Sequence, residues 1–385
     1  MNEIKNLKKT AQRIEKAIKN KERILIFADS DLDGITSCIV LEETIKSLGG
    51  KIQDFYFFGR TIEEAYGLNE DALKYFKKSA PALLITLDCG ITSFEEIEMA
   101  NKLGFETIVI DHHQVLDKLP RASIIVDPKQ KQDKYPFKEL AAVGVVCHLS
   151  RLLFKDKWDG GIKKNIMELT ALGTLADMMK ISDDNEEFIK QGLPALINSP
   201  RPAFQALLNK IGKDEYSHNE IIRKIIGILN ITEMENHVPQ SYSFLTCSDK
   251  SLCQKTIEKL CKQNQERKLR VRNTTEVLME RINEQWPVSV IFEGGGDCTL
   301  NITGALSSRL CNKFQKPCFI FEKGNKISKG SVRTPKGIDS VKAMKQCSDL
   351  LVTFGGHAQA SGFTVENKNL KKFKKCLSDY FSKLN

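Results

Sequence analysis

Asp111-His112-His113 follows the apolar run Thr107-Ile108-Val109-Ile110. A carboxylate beside two imidazoles has the composition of a metal site. Two other apolar runs end in carboxylates as well. Ile24-Leu25-Ile26-Phe27-Ala28 leads into Asp29, Asp31 and Asp33, and Ala82-Leu83-Leu84-Ile85-Thr86-Leu87 leads into Asp88. A further Asp, Asp177, stands where a helical pattern breaks in Gly173-Thr174-Leu175-Ala176-Asp177. Each motif alone has a plainer reading: Asp29–Asp33 as a helix cap, Asp-Cys-Gly as a turn, Asp177 as a helix end. The glutamate expected at the twelfth position of an EF-hand loop is missing. Taken together, the groups suffice for two divalent ions. Mixed Asp and His donors favour Mn²⁺, with Mg²⁺ as the alternative. Two such ions about 3.5–4 Å apart support in-line attack at phosphorus.

The elements that must position these groups follow from periodicity. Runs at 23–28, 52–58, 82–88 and 105–110 read as strands, separated by helical patterns at 34–48, 61–78 and 93–103. This alternation predicts βαβ units and a parallel sheet, in which ligands gather at the carboxyl ends of the strands. Residues 140–230 read as mostly helical, and 249–285 as one long charged helix ended by Trp286-Pro287. From 287 onward, strand patterns at 288–292, 317–322, 327–333 and 361–365 alternate with helical ones at 303–315, 338–350 and 369–384. The predicted organisation is therefore a domain over 1–245, a connecting helix over 246–286 and a smaller α/β domain over 287–385.

The 385 residues, 41% hydrophobic and 28% charged, allow two domains with real cores. No apolar run reaches the ~18 residues of a membrane span, so no membrane partner is expected. Residues 1–21 lack the apolar core of a secretory signal. Ile4, Leu7, Ala11, Ile14 and Ile18 instead carry helical spacing. Eleven cysteines without a C-x-x-C pair read as mostly buried or free thiols in a reducing cytoplasm. The net charge of +9 suits a polyanionic partner. In the long helix, Lys250, Lys255, Lys259, Lys262, Arg267, Lys268, Arg270 and Arg272 read either as a solvated connector face or as a nucleic-acid track. Phe57, Phe58 and Tyr66 are candidates for base stacking or for core.

The ordered set Asp-x-Asp-x-Asp-Gly, Asp-Cys-Gly and Asp-His-His resembles the DHH phosphoesterase superfamily. Further segments are similar to RecJ-like single-strand exonucleases. These are Arg60 with Tyr66-Gly67-Leu68-Asn69, then Gly173-Thr174-Leu175-Ala176-Asp177 and Gly304-Ala305-Leu306-Ser307-Ser308-Arg309-Leu310. Gly330-Ser331-Val332-Arg333 and Phe354-Gly355-Gly356-His357 complete the set, and the resemblance covers residues 22–366. One departure is Phe27, where many DHH phosphodiesterases carry a metal-binding His; RecJ-like members use the Asp at the Asp29 position. The chain resembles the shorter, core-only archaeal relatives.

The resemblance implies an α/β fold: a parallel-sheet DHH catalytic domain, a long helix, and a smaller α/β DHH-associated C-terminal domain, with the active site in the cleft between them. It implies that Asp29, Asp31 and Asp88 hold one ion, and that Asp33, Asp88, His112 and Asp177 hold a second. His113 is then the catalytic imidazole at the scissile phosphate, and Asp111 supports the catalytic group by orienting an imidazole. Arg60, Arg309, Arg333, Gly355, Gly356 and His357 are implied to bind substrate phosphates. The implied activity is metal-dependent hydrolysis of single-stranded DNA or RNA in the cytoplasm. The alternatives are a phosphodiesterase for short oligonucleotides or cyclic dinucleotides, and a replication scaffold. A replisome or helicase-associated protein is an expected partner.

Overall fold

The computed structural model describes residues 3–59, 61–62, 67–116, 118–212, 215–230 and 233–383. The chain divides into two compact units, the first running to Lys262 and the second starting at Gln263 apart from a short excursion at 60–63.

The first unit opens with α1 (Leu7–Lys19), β1 (Ile24–Asp29), α2 (Leu32–Ser47) and β2 (Ile52–Phe58). It continues through α3 (Glu70–Phe76), β3 (Ala82–Leu87), α4 (Phe94–Lys102), β4 (Phe105–Ile110) and β5 (Ile124–Val126). The strands form an all-parallel sheet in the order β2-β1-β3-β4-β5. Their near-continuous apolar runs are required because both sheet faces are covered. Alternate side chains feed two cores. Ile24, Ile26 and Ala28 join the core with α1 and α2, while Leu25 and Phe27 join the one with α3 and α4. The chain leaves β1 towards β2 and returns on its other side as β3, so the ends of β1 and β3 form the switch point where α/β sheets bind ligands.

Five helices follow, close to where periodicity predicts them: α5 (Ala142–Phe154), α6 (Gly160–Ala176), α7 (Asp183–Ile197), α8 (Pro202–Ile211) and α9 (His218–Leu229). A small hairpin, β6 (Met234–Glu235) with β7 (Val238–Pro239), and α10 (Gln240–Leu245) complete this part. Among the described residues, the helix expected over 61–78 is shorter. It starts at Glu70 because Gly67 takes a left-handed φ of 85° and Asn69 Oδ1 caps the helix at the Ala72 amide, 2.9 Å away.

The long helix forms as expected, as α11 (Lys250–Gln285). Cys253, Ile257 and Leu260 pack into a core of the first unit, and Val271, Leu278 and Ile282 into one of the second. It is therefore built into both cores rather than lying outside them. The second unit adds β8 (Ile291–Gly295), α12 (Leu300–Phe314), β9 (Cys318–Lys323), β10 (Ile327–Arg333) and α13 (Ser340–Gln346). It ends with β11 (Leu351–His357), β12 (Ala360–Glu366) and α14 (Leu370–Ser382). The sheet order is β11-β12-β10-β9-β8, antiparallel except between β8 and β9. β11 and β5 carry no strand signal in the reading above. β11 is an edge strand with two glycines, and β5 has three residues.

Several expectations change in the folded chain. Phe57 and Phe58 are core residues, 0% and 2% exposed, so neither can stack on a base. Tyr66 lies outside the described residues. Nine cysteines stay outside any disulfide, but Cys347 and Cys376 form one. Helix packing brings these two, 29 residues apart in sequence, to a Cα separation of 6.2 Å, within the reach of an S–S bond. Among the described residues no helix is long and apolar enough to cross a membrane.

Phe27 is fully buried and stacks on Tyr56 and Phe58, with ring centroids 5.9 and 5.8 Å apart. Its place beside the acidic loop is thus a packing site. Phe27→Ala should lower the stability read by urea denaturation by about 3–5 kcal/mol. A loss below about 1 kcal/mol would contradict that role.

Candidate metal centre

The first acidic motif is shaped by helix starts. Asp31 caps α2, its Oδ1 accepting from the Asp33 and Gly34 amides at 3.0 and 3.1 Å. Asp29 Oδ1 accepts from the Asp31 amide at 3.3 Å. Gly34 is demanded by close approach, since a Cβ there would lie 2.3 Å from the Asp29 carbonyl oxygen. Asp33 serves a different helix. Its two oxygens accept from the Ala142 and Val143 amides at the start of α5, at 2.7 and 2.8 Å. Capping and ion binding are therefore not competing readings of this loop.

Asp88, just past β3, holds a left-handed φ of 59°, a costly conformation for a residue with a Cβ. Asp177 is the C-cap of α6, and α6 approaches α2 closely at Gly173, where a Cβ would meet Thr36 Oγ1 at 2.2 Å. In Asp111-His112-His113 the carboxylate accepts from the amides of Ile91 (3.0 Å), His112 (2.8 Å) and His113 (3.1 Å), and meets His113 Nδ1 at 2.8 Å. The imidazole that Asp111 holds is that of His113, and ligand atoms of Asp88, Asp111 and His113 also lie within 4.8 Å of one another.

The distances draw the sequence-predicted ligands together. Ligand atoms of Asp29, Asp31 and Asp88 lie within 4.8 Å of one another, as do those of Asp33, His112 and Asp177. His112 Nε2 joins the two groups, at 3.2 Å from Asp88 Oδ1, 3.6 Å from Asp33 Oδ2 and 3.5 Å from Asp177 Oδ2.

Burial, reinforced by neighbouring carboxylates, pushes the carboxyls of Asp33 and Asp88 well above the usual range. Burial opposes charge on Asp111 and His113 too, but their mutual attraction and hydrogen bond outweigh it. Asp111 is held below the carboxylate range and His113 is raised to about 9. Divalent cations fit this donor set. All donors are carboxylate oxygens or imidazole nitrogen, and the excess negative charge is what a cation would offset. A buried carboxylate absent from the sequence reading is Asp127, after β5, pushed up to about 8 by burial and the charge of Asp111. Its signal is the apolar triplet Ile124-Ile125-Val126, too short to read as a strand.

The remaining candidates lie elsewhere. Arg60 and Tyr66 lie outside the described residues. Leu68 is anchored by its amide to Ser93 Oγ at 3.2 Å. In the second unit, strand register aligns Arg333, Ala360 and His357 in one cross-strand row, and Ser331, Gly362 and Gly355 in another. Gly356 has φ 122°, and a Cβ there would sit 2.7 Å from the Ala360 carbonyl oxygen. Arg309 is placed differently: on α12, it lines a cavity of about 390 Å³ with Lys268, Leu269 and Arg272. Arg267 is half-buried and donates from Nε to the Asn301 carbonyl at 3.2 Å, so it is tied into the second unit's packing.

Comparison with known proteins matches the chain to two domain models and to a group of relatives. Residues 23–174 match the DHH family, N-terminal domain, and residues 283–383 match the DHHA1 domain. The single-stranded-DNA-specific exonuclease RecJ of Bacillus subtilis is 31% identical over 384 residues, covering 98% of this chain and 48% of that protein. RecJ of Escherichia coli is 27% identical over 96% of this chain and 68% of its own length. The chain thus spans about half the length of the first relative and about two thirds of the second. A crystal structure of exonuclease RecJ bound to manganese superposes with a TM-score of 0.79 at 24% identity, covering 99% of this chain and 95% of that one. RecJ from Thermus thermophilus in complex with Mn²⁺ gives 0.82 at 24% identity, over 99% of this chain and 55% of that one. This chain carries a match to the DHH family N-terminal domain and, after it, one to the DHHA1 domain, and over nearly its whole length it is similar to RecJ exonucleases.

Proposed function

We propose that the chain is a metal-dependent exonuclease that hydrolyses phosphodiester bonds of single-stranded nucleic acid, with DNA as the first substrate to test. The observation that carries this reading is the joining of two ligand groups through Asp88 and His112, 3.2 Å apart. Asp29, Asp31 and Asp88 would hold one Mn²⁺, and Asp33, Asp88, His112 and Asp177 the other. Two such ions lower the pKa of an attacking water and neutralise charge on the transferring phosphoryl group, and Mg²⁺ can substitute for Mn²⁺ in that role.

The chain's own groups do the rest. Asp111 holds the His113 imidazole by Nδ1, so the phosphate contact falls to Nε2. The Asp111 carboxylate favours the protonated form of the His113 imidazole, which suits it to stabilise the leaving oxygen. Arg333 and His357, in one sheet row, grip a substrate phosphate, with the Gly355-Gly356 backbone beside them. Arg309 reaches a further phosphate together with Lys268 and Arg272. Arg60 completes the phosphate-binding set. Single-strand turnover in a cytoplasmic repair, recombination or replication setting is the role this chemistry serves. The similarity to the Bacillus subtilis RecJ supports the choice of substrate.

End-labelled single strands should release mononucleotides only with added Mn²⁺ or Mg²⁺, and duplex controls should not. Asp31→Ala and His112→Ala should each cut the rate about 100-fold or more. Unchanged rates in both variants would remove the metal centre from the reaction.

Protons on Asp33 and Asp88 compete with the cation, because their carboxyls titrate above the ordinary range. Calorimetric Mn²⁺ affinity should therefore rise with pH as these carboxyls lose their protons, with proton release on binding. The folded-state pKa values of these groups are raised, so the metal-free protein binds more protons folded than unfolded. Their contribution to its stability falls as pH rises, and the gain in melting temperature on adding Mn²⁺ should be larger at the higher pH. A pH-independent affinity would contradict the assignment of these two carboxylates.

A further inference from the structure

β3 carries one polar side chain in an otherwise apolar buried run, Leu83-Leu84-Ile85-Thr86-Leu87. Thr86 is fully buried, and both neighbouring strands, β1 and β4, pair with it. A valine would satisfy strand propensity and packing equally well there. The hydroxyl instead crosses the turn after the strand and donates to the Cys89 carbonyl at 2.9 Å. That turn contains Asp88 at φ 59° and Gly90 at φ 107°.

Four contacts pin it. The Asp88 amide donates to the Ile110 carbonyl at 3.0 Å, and the Ile91 amide donates to Asp111 Oδ2 at 3.0 Å. Both of those reach across to the end of β4. The Thr86 hydroxyl, together with the Cys89 thiol that donates to the Leu87 carbonyl at 3.3 Å, closes the turn onto its own strand. Gly90 is shaped to the same contact: a Cβ there would stand 2.5 Å from Thr86 Oγ1 and 3.3 Å from Thr86 Cβ. The glycine of Asp-Cys-Gly is thus required twice, by its backbone angle and by the room the hydroxyl occupies.

We propose that Thr86 is a positioning residue of the metal centre: its hydroxyl locks the Asp-Cys-Gly turn so that the strained Asp88 presents its carboxylate to both ligand groups at once. The physical logic is that a left-handed non-glycine residue persists only where its surroundings over-determine it. Without the hydroxyl, the Cys89 carbonyl loses a buried partner and the turn can relax towards an unstrained φ. The Asp88 carboxylate then swings away from the other ligands. This inference rests on the proposed metal-dependent reading, because it assigns Asp88 the bridging place between the two ions.

The test is Mn²⁺ binding by titration calorimetry on the full chain, for the wild type, Thr86→Val, Thr86→Ser and Gly90→Ala. Melting curves in EDTA check that each variant is folded. Thr86→Val keeps the shape and removes the hydroxyl, and should weaken Mn²⁺ binding about 10-fold or more, the size expected of an outer-shell contact. Thr86→Ser restores the donor and should return affinity to within about threefold of wild type. Gly90→Ala crowds the hydroxyl from the opposite side but also strains the backbone at φ 107°, so it is read only beside the Val result, and Thr86→Ala is read in place of Thr86→Val if that variant does not fold. In activity assays the loss should be recovered by raising Mn²⁺, with KM for the strand unchanged, whereas a purely structural defect would not respond to the ion. Wild-type-like Mn²⁺ affinity in a folded Thr86→Val protein overturns the role of Thr86 and leaves the metal centre standing. Absence of Mn²⁺ binding by the wild type overturns the metal centre itself, and this role with it.

Discussion

Negative charge crowded into a dry place is the constraint around which the first unit is organised. Asp29, Asp33, Asp88 and Asp111 are each no more than 2% exposed, and Asp31 and Asp177 join them. Two like charges about 4 Å apart repel by roughly 4 kcal/mol even at an effective dielectric of 20. A fold tolerates this only by supplying compensation at short range. The chain supplies it from backbone dipoles and imidazole: the start of α2 faces Asp31, the start of α5 faces Asp33, and His112 stands among Asp33, Asp88 and Asp177. The compensation is incomplete, as the raised carboxyls of Asp33 and Asp88 attest. That residue of charge is what a divalent cation would offset.

The two units solve the problem of convergence by different means. In the first, parallel strands all end on one side of the sheet. Residues from β1, β3 and β4 meet there although up to 82 positions separate Asp29 from Asp111 in the sequence numbering. In the second, an antiparallel register does the work, bringing Arg333 and His357 to either side of Ala360. Parallel strand ends gather acids and imidazoles into a cluster with depth. A cross-strand row lays Arg333 and His357 out along a line.

Close approaches decide several positions that chemistry alone would not. Gly34, Gly90 and Gly173 lack side chains because Asp29, Thr86 and Thr36 occupy the space a Cβ would need. Each such contact ties a ligand-bearing segment to its neighbour, so the rigidity of the site comes from packing as much as from hydrogen bonds. Phe27 contributes in the same way from below, filling the core under the acidic loop with a stacked ring.

Much of this was legible in the residues themselves. Alternating apolar runs fix strand and helix because their periods, 2 and 3.6, are local properties of the backbone. The carboxylates at strand ends announce a metal site because residue type dictates ligand chemistry. The helices between 140 and 230 needed nothing more than spacing and their Gly and Pro stops. What stayed hidden depends on contacts between distant segments. The cap that Asp33 places on α5, the hold of Asp111 on His113, the burial of Phe57 and Phe58, and the pairing of Cys347 with Cys376 all arise from such contacts. Short elements such as β5 and the glycine-bearing edge strand β11 escaped notice because their partners, not their propensities, hold them in place. Sequence by itself determined which groups could bind metal and phosphate and which segments would carry them. Only the tertiary structure decided which carboxylates come within reach of one another and which amides they accept from, because a carboxylate's role is set by what packs within about 3 Å of it.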